Sequence, residues 1–513
     1  MMISSEKTVK DQLKAGVVLS YITTVVSIVI QLVYMPVMIR LLGQSEYGLY
    51  SLVSSVVSYL SLFSLGFSGA YMRFFARSYG DREKTASLNG MFIILFSVLS
   101  ALATVCGIVL SFFPKQIFGD KLSAAELSKA GTLMGILVIS IALSLLSGLL
   151  DSIISAHERF VFQRVMGLVS TVISPFVTLP LLLMGYRSVM LVTVSTAFTI
   201  VRFALNIWYC LRIIKIPVSF RGFDWGLLRQ IAVFSSFLFI NMIIDQINWN
   251  VDKLILGHTS GTEEIAVYGV ASQFNSLFLT FSTTISSVFS PRVNRIAAEY
   301  GNDCSAEFTS LMAKIGRIQW MILGLLSLGF IVFGKYFIVN IFAGEGYENA
   351  YAATLFLVLP ALVPLIQNVG IEIQRAFNKH QFRSVIYFVM AIANVIISIP
   401  LANRFGAIGA AMGTAISLII CNGLIMNVFY HKVLKINMIY FWKEILKTLK
   451  GMLIPILSAG IIMRFVKFTS LTVFFVSIII FAVIYCASVF AFSCNREEKD
   501  MICGMIGKIK HDK

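Results

Sequence analysis

The stretch LTVFFVSIIIFAVIYCASVF, residues 471–490, runs for twenty positions without a charged side chain. Twenty residues of α-helix rise about 30 Å, the thickness of a bilayer's hydrocarbon layer. Outward from this stretch the same signal recurs along the chain. It is found at 16–39, 47–71, 87–113, 130–155, 162–184, 187–210, 230–250, 264–290, 318–341, 351–372, 382–401, 405–430 and 445–463, with the last span drawn at 470–493. An all-α polytopic membrane protein of about fourteen transmembrane helices follows.

Composition agrees. The 513 residues are 58% hydrophobic and 13% charged, against about 25% charged in soluble domains. The net charge of +16 would suggest nucleic acid in a soluble protein, but here it falls in short connections between spans. The seven cysteines (Cys106, Cys210, Cys304, Cys421, Cys486, Cys494 and Cys503) form no C-x-x-C pair and read as small apolar residues. The five histidines make no H-E-x-x-H. A polar start and a first apolar stretch too long for a signal peptide point to a retained first helix.

Charge sets the topology. With an even number of spans, both termini lie on one side. That side carries 30 of the 41 Lys and Arg residues, the opposite side carries 10, and Arg202 sits inside a span. The positive-inside rule then places both termini in the cytoplasm.

An internal repeat is visible. IRLLGQSEYGLYSLV (39–53) follows the first span, and KLILGHTSGTEEIAVYGVAS (253–272) follows the seventh. Both run Leu-Gly, a polar turn, then Tyr-Gly: Leu42-Gly43 with Leu256-Gly257, and Tyr47-Gly48 with Tyr268-Gly269. YMRFFARSYGD (71–81) matches SPRVNRIAAEYGND (290–303), and Pro180 aligns with Pro400. Two parallel six-helix halves are expected, 1–218 and 219–437, with a terminal helix pair and tail over 438–513.

Function must reside in the few polar groups inside the spans. In INMIIDQINWNVDKLILG (240–257), Asn241, Asp245, Asn248 and Asp252 fall within a sector of about 60°. A carboxylate in hydrocarbon needs water or a partner. For Asp245 a wet cavity is favoured; Asp252 and Lys253 read better as an interfacial ion pair. In IQNVGIEIQRAFNKH (366–380), Asn368, Glu372, Arg375 and Lys379 repeat the spacing, and Glu372 is within reach of Arg375. Cavity lining and a solvated interface fit this second stripe equally.

Milder stripes mark spans 1, 2 and 8: Ser20, Thr24, Ser27 and Gln31; Ser51, Ser55 and Ser58; Gln273, Ser276, Thr280 and Ser287. Each alone suits helix packing, whereas together they suggest a polar-lined space between the halves. Arg202 within span 6 requires a carboxylate, backbone carbonyls or an anionic ligand. Arg73 and Arg292 end spans 2 and 8 in equivalent places, where topology alone, or an anionic substrate, would account for them. Eight prolines, Pro36, Pro175, Pro180, Pro291, Pro360, Pro364, Pro400 and Pro455, interrupt spans and permit bending. Spans 13 and 14 read as lipid-facing packing or as a groove for a hydrocarbon tail.

No G-x-x-x-x-G-K-[ST] loop, metal-ligand set or nucleophile–base pair is seen, which argues against an enzyme and needs no cofactor. The runs LLGQSEYGLYSLVSS, VDKLILG…VYGVASQF, SPRVNRI and RFGAIGAAMGTAIS resemble the polysaccharide transport family of the MOP superfamily. The resemblance implies a flippase for undecaprenyl-diphosphate-linked oligosaccharide repeat units of O-antigen, capsule or exopolysaccharide, working by alternating access. It also implies diphosphate contacts from Arg73, Arg202 and Arg292, with Glu372 and Arg375 as further substrate contacts. Spans 13–14 become a tail site. Asp245, flanked by Asn241 and Asn248, would serve a coupling ion, Na⁺ or H⁺. Implied partners are the lipid-linked oligosaccharide, membrane lipids, and a polysaccharide polymerase with chain-length machinery; nucleic acid is not among them. The alternatives are an ion-coupled multidrug exporter of the same superfamily, or a membrane-embedded glycan polymerase or ligase.

Overall fold

A computed structural model of the chain describes residues 2–78, 80–221, 224–300, 305–377 and 379–500. Cys304 and Cys503 lie outside them, as does the chain's last stretch. The described residues are helical throughout, with no strand. In order the helices are α1 (Met2–Leu42), α2 (Gln44–Ser58), α3 (Phe67–Ser78), α4 (Arg82–Ser111), α5 (Pro114–Phe118), α6 (Ala124–Ala156), α7 (Phe160–Leu183), α8 (Ser188–Trp208) and α9 (Trp225–Thr259). There follow α10 (Thr262–Ser287), α11 (Ser290–Tyr300), α12 (Ser305–Tyr336), α13 (Glu348–Ile366), α14 (Val369–Ala376), α15 (His380–Leu418), α16 (Met426–Lys432), α17 (Met438–Phe465) and α18 (Leu471–Phe492).

Twelve segments of the described residues are long and apolar enough to cross a membrane. The sequence suggests fourteen, and the difference sits in two places. Gln381–Lys432 is a single apolar segment of 52 residues, about 78 Å of helix and more than two bilayer cores. Gly406 breaks it, with φ 56 and ψ −133, a backbone state that a residue with a Cβ resists. The sequence spans 382–401 and 405–430 are its two arms. The other place is α10, whose 26 residues are long enough but are diluted by Ser, Thr and Gln along its length.

The chain forms two compact units, Met1–Gly269 and Val270–Lys513. This division differs from the repeat boundary near 218/219. The repeat records duplication; the units record packing, and α9 packs with α2 and α3.

In the first unit α4 packs on α6, α6 on α8, and α1 on α7. Its core gathers Phe67, Tyr71, Phe74, Phe75, Phe92, Phe96 and Ile153. Asn89, fully buried, accepts from the Tyr71 hydroxyl at 2.7 Å and donates to the Pro217 carbonyl at 2.8 Å. The segment after α8 thus crosses α4, and it fits because residue 90 is glycine: a Cβ there would lie 2.0 Å from the Ser219 carbonyl oxygen. In the second unit α12 packs on α13 and α17, and α17 on α18. Phe333, Phe474 and Phe481 fill one layer.

The outer surfaces are apolar. Val25, Val29 and Val33 of α1, Leu453, Leu457 and Ile461 of α17, and Ile479 and Val483 of α18 are all exposed. Helical spacing puts each set in one stripe, the expected face toward lipid.

Candidate functional site

The first element of the site is the polar stripe of α9. Asp245 is exposed within an otherwise apolar helix, and Asn241 and Asn248 beside it are half-buried. Asp252, the fourth member, behaves differently. It is 2% exposed, and the Tyr268 hydroxyl donates to its Oδ2 at 2.5 Å. Asp252 is therefore a buried, hydrogen-bonded carboxylate, which corrects the interfacial reading suggested by the sequence. Burial of a carboxylate needs such a donor.

One residue along, α9 carries a second polar row that the sequence reading missed. Gln246 donates to Ser61 Oγ at 3.0 Å and accepts from Ser58 Oγ at 3.2 Å, and Asn250 donates to Gln246 Oε1 at 2.7 Å. Ser58 at the end of α2 and Ser61 in the turn that follows thus pair with α9. The available signal was the same i, i+4 spacing, shifted by one position.

Arg202 of α8 meets a carboxylate. Its Nη2 is 2.8 Å from Asp151 Oδ2 on α6. Asn206, one turn on, donates to Asp151 Oδ1 at 3.1 Å and to Ser147 Oγ at 2.9 Å. Asp151 was the partner overlooked in the sequence, a lone acid in SGLLDSIIS. Of the three ways to hold the Arg202 guanidinium, the carboxylate is the one realised. The Arg202 side chain stays 43% exposed.

Arg73 lies on α3. A 3₁₀ turn, Tyr59–Ser64, interrupts the helix begun by α2, and Leu65 and Gly66 take positive φ before α3 starts. Gly66 then receives Leu238 of α9: a Cβ on Gly66 would lie 2.6 Å from Leu238 Cβ. This notch sets α3 against α9. Arg73 stacks over Phe234 at 4.5 Å, and Arg77 over Phe74 at 5.5 Å. Together with Arg229, Gln230 and Val233 they line a cleft of about 440 Å³. Arg77 and Arg229 were missed as members of this group.

In the second unit, Arg292 is exposed on α11. Arg375 donates to Glu372 Oε1 at 2.8 Å, and Ser290 Oγ donates to Glu372 Oε2 at 3.1 Å. Glu372 therefore ties α14 to α11. Asn368, above it, donates to Ser282 Oγ at 3.2 Å, and buried Gln319 donates to the same hydroxyl at 3.2 Å. Lys379 donates to the Val433 carbonyl at 3.3 Å.

The turn of the first repeat motif carries a further polar cluster. Glu46, in the first turn of α2, is contacted by Lys129, by Ser188 Oγ at 2.6 Å and by Arg187 at 3.8 Å. Glu126 accepts from Ser45 Oγ at 2.7 Å and from Thr262 Oγ1 at 2.8 Å, while capping α6 with Ser123. Among the described residues no group of three or more His, Cys, Asp or Glu side chains could hold a metal ion. What the arrangement offers is hydrogen-bonding and charged groups on membrane helices, suited to binding and release.

The fold and the charges held along its long apolar helices define a polytopic helical membrane protein. The chain belongs to the family described as polysaccharide biosynthesis protein, whose profile matches residues 13–297. A protein of Shigella flexneri named "Putative O-antigen transporter" is 20% identical over 387 residues, 74% of this chain and 89% of its own. The fold is similar to that of the lipid II flippase MurJ in an inward closed conformation. The TM-score is 0.72 at 18% identity, over 95% of this chain and 99% of that structure. An inward-facing multidrug resistance MATE family transporter aligns at TM-score 0.58 and 13% identity, over 78% of this chain and 96% of its own.

Proposed function

We propose that the protein moves an undecaprenyl-diphosphate-linked oligosaccharide repeat unit across the bacterial cytoplasmic membrane, for assembly of a cell-surface polysaccharide. The observation that carries this reading is the family match joined to a flippase-like fold over nearly the whole chain. The multidrug exporter fold accounts for less of it, 78%. Both termini face the cytoplasm on the reading of the 30-to-10 bias in Lys and Arg. The polymerase and chain-length machinery would act next, on the outer face.

Chemically, the diphosphate asks for planar, always-charged donors, and arginine supplies them. Arg73, Arg202 and Arg292 are the proposed contacts, with Glu372 and Arg375 near the sugar. Arg202 carries Asp151 with it, so its guanidinium is oriented before any ligand arrives. Sugar hydroxyls would find the amide and hydroxyl groups of α9 and α10. Asp245, exposed in the membrane, is the proposed group for a coupling Na⁺ or proton, with Asn241 and Asn248 beside it. Transport then proceeds by alternating access, the tail remaining in lipid alongside α17 and α18.

The test is a proteoliposome assay that follows protected against exposed lipid-linked oligosaccharide, with Na⁺ and proton gradients imposed separately. Protein-dependent exposure of the headgroup is expected, with Asp245→Asn removing the dependence on the gradient. Transport of small cationic drugs with no movement of the lipid-linked sugar would overturn the assignment.

A further inference from the structure

The cleft between α3 and α9 holds three arginines, Arg73, Arg77 and Arg229. Among the described residues none of the three is within salt-bridge distance of a carboxylate. Five other arginines, Arg187, Arg202, Arg295, Arg317 and Arg375, do meet an acid. Three like charges gathered in one cleft repel one another, and the fold nevertheless fixes two of them. The rings of Phe234 and Phe74 hold Arg73 and Arg77 through cation–π contacts, which fix a guanidinium while leaving its edge donors free. Their i, i+4 spacing on α3 aims both the same way, and Arg229 answers from the first turns of α9.

Trp225, one turn before Arg229 on α9, is 75% exposed. Exposed aromatics beside basic residues are the signature of a helix end at the headgroup level of a bilayer. The cleft volume of about 440 Å³ falls within the ~300–1,000 Å³ common for small-ligand sites. Its chemistry is that of a phosphate site.

We propose that Arg73, Arg77 and Arg229 form a phosphate-binding station at the cytoplasmic surface, one that captures the phosphate groups of a membrane lipid before any transport step. The inference rests on the proposed function for the membrane face and for the isoprenoid diphosphate as leading ligand. Its own content is the site. An ordinary anionic phospholipid offers the same chemistry as a monoester or diester.

The experiment measures binding, not transport. The full chain in phosphatidylcholine nanodiscs is titrated with radiolabelled farnesyl diphosphate, beside Arg77→Gln/Arg229→Gln. Saturable binding by the parent is expected, weakened about tenfold or more in the double variant as two charge-assisted contacts are lost. A matched melting temperature confirms that the variant is folded. Should it not be, Arg229→Lys replaces it; that variant keeps the charge, loses the planar fork, and is expected to bind several-fold more weakly. Nanodiscs doped with phosphatidylglycerol separate the sources. Displacement of the probe assigns the site to bilayer phospholipid, and no displacement assigns it to the isoprenoid diphosphate. Undiminished binding in a folded double variant overturns the proposal. Lipid-linked oligosaccharide transport failing while farnesyl diphosphate binding persists would overturn the proposed function and leave the station standing.

Discussion

Arg317 of α12 is buried where three segments of the chain meet. It is 5% exposed and makes five hydrogen bonds to groups outside its own helix. Nε and Nη2 reach the two carboxylate oxygens of Glu498 at 2.9 Å, a fork-to-fork pair. Nη1 reaches the carboxylate and carbonyl of Glu444 at 3.2 Å, and Nη2 the carbonyl of Ser493 at 2.8 Å. One guanidinium thus ties α12 to the start of α17 and to the chain beyond α18. Glu498 is itself 2% exposed and accepts from the Asn495 amide at 2.8 Å, so its charge has little water to fall back on.

Arg317→Met keeps the apolar stem and removes every one of these bonds. Breaking a buried pair by deleting one partner costs about 3–5 kcal/mol, because the other charge stays behind. For a unit of this size about 2–4 °C of melting temperature accompanies each kcal/mol, so a fall of about 6–20 °C is expected. Thermal unfolding of the detergent-solubilised protein, followed by a thiol-independent dye, reads it. Arg317→Met/Glu498→Leu should recover much of the loss, since it removes the stranded carboxylate as well. If Arg317→Met melts within about 2 °C of the parent, the bonds contribute nothing net and the reasoning fails.

Gly90→Ala drives a Cβ to 2.0 Å from the Ser219 carbonyl oxygen, and overpacking of this kind costs about 1–3 kcal/mol; a lower melting temperature checks it, and an unchanged one would mean that the 216–219 segment gives way freely. Arg202→Met strands Asp151 and should lower both the yield of folded protein and oligosaccharide transport. Arg202→Met/Asp151→Asn should restore the yield while transport stays lost, and normal transport by the double variant would remove Arg202 from the substrate site. Lys314 donates to the exposed carboxylate of Glu497 and holds its pKa below the ordinary value. A depressed folded-state pKa stabilises above the unfolded value and ceases to do so as pH falls through the folded one. The small melting difference between parent and Glu497→Gln should therefore vanish on acidification below the carboxylate range; a difference that grows in acid would contradict it.

Much of the fold was legible because a bilayer leaves so few options. Apolar length alone places thirteen of the fourteen sequence spans on the twelve long apolar segments, all but 264–290, since backbone groups in hydrocarbon must close their own hydrogen bonds. The site was harder to read, for a physical reason. A stripe shows which side chains share a face, but it carries no information about the face opposite. Arg202 was visible as an anomaly; Asp151, 51 residues earlier, was one acid in an apolar helix with nothing to mark it as the partner. Asp252 stood near the end of its span and looked solvated until Tyr268 was seen covering it. Arg77 and Arg229 looked like topology signals, because charge bias and ligand binding ask for the same residue at the same membrane surface.

The repeat motif shows how a sequence signal and a packing requirement can coincide. Leu-Gly and Tyr-Gly occur in both copies, and within the first unit the two copies touch. A Cβ on Gly48 would lie 1.9 Å from the Thr262 carbonyl oxygen, and one on Gly269 would lie 3.2 Å from the Tyr47 ring. Gly257 likewise sits against Leu52, whose Cδ atoms a Cβ would meet at 3.3 Å. The start of α2 and the start of α10 therefore approach through glycines, and Ser45, Thr262 and Glu126 join them by hydrogen bonds, while Tyr47, Leu52, Ile265 and Tyr268 beside them are buried. The glycines let the two helix starts come close enough for these large side chains to bury against one another, since a Cβ at residue 48 would strike backbone that cannot move aside. Glycines recurring in both copies of the motif are therefore explained by close packing, and that is the physical sense in which the repeat bears on the fold.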